Sequence, residues 1–364
     1  MLARHAEDMF WAGRYLERAE DTARMVRATL MSTVAESPAQ SIDRMQNLVH
    51  TLRLDVPEIG QNTQQVAAQI TDAPPLLRSP AGLGLDVQAT ATRLVSSPAL
   101  VGSVVFCIGR ARENLRSLRD QIPSELWEQI NQFHLQLRQS SSSQSNLSQS
   151  NLSQRHLSQG SFAQGNFAQM MELDPFGTLD QVRVNCQTLV GIIDSTMPQG
   201  EGYRFLMLGL MLERAVMTSR LLMVRYPELD GSSYDEMALT LRSVSALEAY
   251  QRASQSSPHP ADVVRFLLLS PSFPRSVLYC LQACESQLRA IADDTSSLPG
   301  QVLGRLRSRL EFADLEELMS DLPRYLQDLE SGIRDVADRI SVAFFRHAEV
   351  VELHSQAIGP GIAP

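Results

Sequence analysis

Two stretches far apart in this sequence can be laid on one another residue for residue. "GRYLERAEDTARMV" (Gly13 to Val26) and "GLMLERAVMTSRLL" (Gly209 to Leu222) share Gly, Leu, Glu, Arg, Ala, Thr and Arg at matching places. A second pair follows in the same order. "SPALVGSVVFCIGRARENLRSLRD" from Ser97 and "SPSFPRSVLYCLQACESQLRAIAD" from Ser270 share Ser-Pro, Ser-Val, Cys, Leu-Arg and the closing Asp. Matched segments in one order point to an internal duplication, which restricts the chain to folds built from two like halves. The spacing is shorter in the second pair, so the first half holds extra residues. These are expected between Thr51 and Ser96, where "DAPPLLRSPAGLG" gathers Pro and Gly.

The repeated units have the period of a helix. In the first copy Trp11, Ala12, Tyr15, Leu16, Ala19, Ala23 and Val26 fall on one arc, and Arg14, Glu17, Arg18, Asp21 and Arg24 on the opposite one. Similar patterns run over Val105–Arg119, Glu125–Leu137, Leu179–Ser195, Arg204–Tyr226, Tyr234–Ala253, Ser276–Ala292 and Leu326–Arg346. Ser124, Asp174-Pro175 and Pro274 mark helix starts. No segment shows a period of two. The expected fold is all-α, a helical bundle of two duplicated halves with roughly eight to twelve helices. The halves are expected at residues 1–138 and 171–364, packed as one compact unit, with a spacer at 139–170.

That spacer has its own pattern. Leu147, Leu152, Leu157, Phe162 and Phe167 fall every fifth residue. The segment resembles the pentapeptide-repeat family, in which such residues point into a right-handed β-helix. One coil there takes about four units, and repeat folds need several stacked coils to bury a core. Its Ser, Gln, Asn and Gly are a linker composition, so a flexible spacer is expected.

The charge balance removes several functions. A net charge of -9 argues against a nucleic-acid backbone as partner. No apolar run approaches the roughly 18 residues of a membrane span, and the charged opening "MLARHAEDMFWAGRYLERAED" lacks a signal-peptide core, which points to the cytoplasm. The sequence has no lysine, so all 32 of its Lys+Arg residues are arginine. A Walker-A loop, a pyridoxal Schiff base and a lysine nucleophile are thereby excluded. Cys107, Cys186, Cys280 and Cys284 form no CxxC pair and read as buried thiols, and no metal or cofactor set is recognised. "HAEVVELH" (His347 to His354) has the wrong spacing for a di-iron site.

The two copies of the LER motif differ in polarity. In the first the charged arc is continuous and is expected to face water. In the second, Leu210, Val216 and Met217 stand where Arg14, Glu20 and Asp21 stand in the first. Glu213, Arg214 and Arg220 are then nearly alone on an apolar helix, which is expected to be buried with its charges paired. Glu213 and Arg220 share a face and are candidate partners. One reading is a structural ion-pair network between the halves. The other is a polar site at their junction, with Glu17 and Glu213 as catalytic candidates and Arg24 and Arg220 holding an anionic substrate. Arg14, Arg214 and Arg275 complete the candidate binding set there. Arg112, Arg116 and Arg119 share a helical face and form either a solvated surface or an anion patch.

These residues also carry a family likeness. "MLARHAEDMFWAGRYLERAEDTARMV", "ARENLRSLRDQIPSELWEQIN", "RFLMLGLMLERAVMTSRLLMVRY", "LRSVSALEAYQR" and "FLLLSPSFPRSVLYCL" resemble, in the same order, the hallmarks of the bacterial alpha-E domain family. The resemblance implies an all-helical protein. Family members commonly accompany, or are fused to, a circularly permuted ATP-grasp protein and a transglutaminase-like protein. It therefore implies an accessory subunit of an amide- or peptide-ligase system. The nucleotide would sit on the ATP-grasp partner, since this chain lacks lysine. A stand-alone enzyme and a structural scaffold are the alternatives. A solvent-reached pocket lined by the central charges would favour a site, and a packed, paired core would favour a scaffold.

Overall fold

In the computed structural model, residues 1–34, 36–52, 86–138, 167–229, 234–254, 258–292 and 298–345 are described. They form fifteen helices and no strand. The first half contributes α1 (Ala3–Thr33), α2 (Pro38–Leu52), α3 (Val87–Ser96), α4 (Val104–Arg116) and α5 (Ser124–Arg138). Next come α6 (Phe167–Leu173), α7 (Pro175–Thr196), α8 (Glu201–Leu229), α9 (Tyr234–Ser243) and α10 (Leu247–Ala253). The chain continues through α11 (Pro260–Leu269), α12 (Val277–Ala292), α13 (Leu298–Glu311), α14 (Leu315–Ser320) and α15 (Leu322–Phe344).

Helices α1 and α8, 31 and 29 residues long, form the spine on which the others pack. They touch backbone to backbone. A methyl group at Gly13 would fall 2.0 Å from the Leu206 carbonyl oxygen, and one at Gly209 would fall 1.9 Å from that of Phe10. Only a residue without Cβ permits such an approach. The contact is reciprocal, because Phe10 precedes Gly13 by the same step as Leu206 precedes Gly209.

Reciprocity extends to the helices beside the spine. Thr22 donates to the Gly102 carbonyl at 3.2 Å, and Thr218 to the Arg275 carbonyl at 3.0 Å. Those carbonyls precede Ser103 and Ser276. The two serines cap α4 and α12, accepting from the backbone N–H of Phe106 at 3.1 Å and of Tyr279 at 3.2 Å. Each hydroxyl also donates back, to the carbonyls of Ser97 and Ser270 respectively. Thus α1 binds α4 and α8 binds α12 through matched residues.

Several expected boundaries move. The helix read as one over Tyr234–Ala253 is broken: Ser245 takes a left-handed φ of 51°, and the N–H groups of Ser245 and Ala246 bond the carbonyls of Arg242 and Leu241. This Schellman closure satisfies the end of α9 and stops it. Ser276 caps α12 rather than Pro274 opening it. Helix α4 ends at Arg116, so Arg119 is off the helical face assigned to it. The helix count exceeds the expected range because Tyr234–Ala253 is divided and because α2, α3, α6, α11, α13 and α14 lie outside the segments read as periodic. Asp174 caps α7 as expected, accepting from Gly177 N–H at 2.9 Å.

The described end of the spacer, residues 167–170, belongs to α6, with Phe167 buried in the core. The other repeat units, the Pro/Gly-rich stretch "DAPPLLRSPAGLG", His347 and His354 lie outside the described residues. Among the described helices none is long and apolar enough to cross a membrane.

Candidate functional site

Where α1 crosses α8, the two Glu-Arg dipeptides of the sequence, Glu17-Arg18 and Glu213-Arg214, interlock. Arg214 grips Glu17 with two parallel bonds of 2.7 Å from Nε and Nη2. Arg18 Nε reaches Glu213 at 2.5 Å, and Arg14 Nε reaches its other oxygen at 2.8 Å. Each dipeptide therefore gives its glutamate to an arginine of the other and takes the other's glutamate in return. Glu17 is 1% exposed and Glu213 0%. Burial alone would raise both carboxyl pKa values. Arg214 and Arg275 overcome this at Glu17, and Arg18 and Arg14 at Glu213, holding each at about 2.

A second cluster continues along α1. Arg275, just before α12, reaches Glu17 at 2.8 Å, Asp21 at 2.5 Å and Glu20 at 3.1 Å. Arg24 pairs with Glu20 and donates to the Ser245 hydroxyl. Gln187 of α7 also donates to Glu20, at 3.1 Å. Three carboxylates thus crowd one guanidinium. Burial raises the Asp21 pKa, Arg275 opposes this and Glu17 reinforces it, leaving Asp21 at about 7.

Every central candidate is therefore in the structure's interior. Glu17, Glu213, Arg14, Arg24, Arg214 and Arg275 are joined in the network, and Arg220 lies beside it. The pairing of Glu213 with Arg220 is corrected: Arg220 binds Glu330 of α15 at 2.9 Å, and Glu213 binds Arg14 and Arg18. The solvated arc expected on α1 is corrected too, because Glu17, Glu20, Asp21 and Arg24 are all buried. Their counter-charges come from α8 and from the turn before α12, which periodicity along α1 does not report. Arg18, Glu20, Asp21 and Glu330 were not among the candidate site residues read from the sequence. Glu330 had a signal: it sits within the apolar stripe Leu326, Leu329, Ile333 and Val336.

Two cavities among the described residues lie elsewhere. One of about 10 Å³ lies between α1, α2, α8 and α9. The other is an open cleft of about 560 Å³ lined by residues of α1, α4 and the turn after α4. Arg112 and Arg116 both hold Glu113, at 2.6 and 3.1 Å, and Arg112 also donates to Asn131 at 2.8 Å. Arg112 and Arg119 lie over the Trp127 ring, 5.3 and 4.1 Å from its centroid. All four cysteines are buried and unbridged, and burial pushes the Cys107 and Cys280 thiols up to about 12, far from a reactive thiolate. No group of three or more metal-ligating side chains occurs among the described residues.

Comparison with known proteins agrees with this geometry. The model of a family called Alpha-E, described as "a predicted alpha-helical domain with a conserved ER motif", matches residues 1–345. Uncharacterized proteins of Mycobacterium bovis and Mycobacterium tuberculosis are 23% identical over 348 residues, covering 91% of this chain and 36% of theirs. This chain thus spans about a third of the length of those relatives. No solved structure matches it.

Proposed function

The chain belongs to the Alpha-E family, and we propose that it is an accessory helical subunit of an ATP-grasp-type amide or peptide ligase system, itself binding no nucleotide. The observation that carries this reading is the interlocked Glu-Arg pair. Both glutamates are sealed between helices and ionised by two guanidiniums each, so neither is poised as a general base near neutral pH. The pairs lock α1 to α8 and leave the outer helices to meet a partner. That the relatives carry the matching region in only 36% of their length fits a module working beside other chain segments. The lack of lysine places nucleotide contacts on the partner, and the proposal places the pair in the cytoplasm. Docking of a transglutaminase-like protein belongs to the same proposal. The matched contacts around the spine favour descent of the two halves from one duplicated unit.

The test is reconstitution with an ATP-grasp protein encoded beside this chain. A complex on size exclusion, with amide formation that needs both proteins, is the expected result. Full ligase activity without this chain, and no complex, would sink the proposal. A stand-alone enzyme would instead lose turnover in Glu17→Gln or Glu213→Gln variants that keep full stability. The buried network makes loss of stability the expected outcome.

A further inference from the structure

The cleft at the start of α1 carries both signs of charge. Arg4 enters from α1, and Arg119 from the turn after α4. Neither forms an ion pair among the described residues. Arg116 is already engaged by Glu113 at 3.1 Å. Arg119 lies over the Trp127 face, 4.1 Å from the ring centroid. One turn from Arg4 on α1 stands Asp8, whose carboxylate accepts the Ser117 hydroxyl at 2.7 Å. Asp8 also has no ion pair among the described residues.

We propose that this cleft binds a free α-amino acid as its zwitterion, with the carboxylate on Arg4 and Arg119 and the ammonium on Asp8. Two unpaired guanidiniums suit a carboxylate, whose two oxygens accept in parallel. The unpaired carboxylate beside them selects a ligand whose cation adjoins its anion. Asp8 gives the ligand's ammonium a counter-charge that a phosphate dianion or a nucleotide would leave unused. A volume of about 560 Å³ leaves room for a side chain. The site goes beyond the accessory role and stands without it, since it rests on none of the residues of the central network.

Trp127 supplies the readout. The full-length protein, labelled with nitrogen-15, is titrated with L-alanine while the two indole N–H resonances are followed. The Trp127 resonance is expected to shift saturably and that of Trp11 to stay. Acetate alone and ethylammonium alone should bind at least about tenfold more weakly, and Asp8→Asn and Arg119→Gln should each raise the midpoint by at least about tenfold. Because Arg119→Gln also alters the ring's surroundings, the midpoint is read rather than the starting shift, with calorimetry as a second measure. All three side chains lie at the surface, and a retained cooperative melt confirms that each variant folds. A non-saturating shift, acetate or phosphate binding as tightly as alanine, or an unchanged midpoint in Asp8→Asn would overturn the proposal.

Discussion

Replacing Gly209 by alanine sets two well-known effects against each other at one site. Helix propensity favours the change by about 1 kcal/mol in mid-helix. Sterics oppose it, because the new methyl would lie 1.9 Å from the Phe10 carbonyl oxygen, where ordinary contact begins at 3.4 Å. The obstacle is backbone, so no side chain can turn away, and α1 and α8 must part locally by about 1.5 Å. A gap of about that size forfeits a large share of the dispersion between the facing residues. Overpacking costs roughly 1–3 kcal/mol in general, and a rigid backbone obstacle belongs at the top of that range. The expected net loss is therefore about 2 kcal/mol, opposite in sign to propensity. Gly191 is the control, because it is exposed on α7 and a methyl there meets nothing within 4 Å. Gly191→Ala should gain about 0.5–1 kcal/mol. Urea unfolding followed by circular dichroism measures both. If Gly209→Ala matches or exceeds the unaltered protein while Gly191→Ala behaves as expected, the close approach of the spine helices is wrong.

Four further outcomes follow from the buried charges and the spacer. Glu213→Ala strands Arg14 and Arg18, and breaking one side of a buried pair costs about 3–5 kcal/mol. Adding Arg220→Leu should deepen the loss, since it strands Glu330, and a double-mutant cycle in denaturant that recovers most of the loss would show that assignment mistaken. Glu17 and Glu213 have folded pKa values near 2, below the ordinary 4.5, so their stabilisation is complete above pH 4.5 and disappears as pH falls towards 2. Asp21 runs the other way. Its folded value near 7 lies above the ordinary 3.8, so its contribution is complete below pH 3.8 and is lost as pH rises through 7. Asp21→Asn should flatten the fall in stability between about pH 4 and pH 7, and an unchanged slope in unfolding titrations would refute the assignment. Deleting residues 140–165 in favour of a short Gly/Ser link, which spares Phe167, should move the melting temperature by only a few degrees. Loss of the cooperative transition would show that the repeat packs as structure.

The sequence alone was enough for the helical class, because a period near 3.6 is a local property of each segment and repeats along the chain. It also marked the two Glu-Arg dipeptides, the matched glycines and the start of α7 at Asp174, since each is written in neighbouring residues. Burial of Glu213 was legible as well, because a lone acid in the apolar run "GLMLERAVM" has few neighbours to make it a surface residue. What surrounds those residues was not legible. The charged arc of α1 looks solvated when read along one helix, and it is buried only because Arg214 and Arg275 arrive from distant segments to neutralise it. Arg220 shares a face with Glu213, yet Glu330 on α15 comes closer. Periodicity tells which side of a helix a residue occupies. Which cation meets which carboxylate depends on how helices cross, and that crossing is set by two glycines whose missing side chains let α1 and α8 touch.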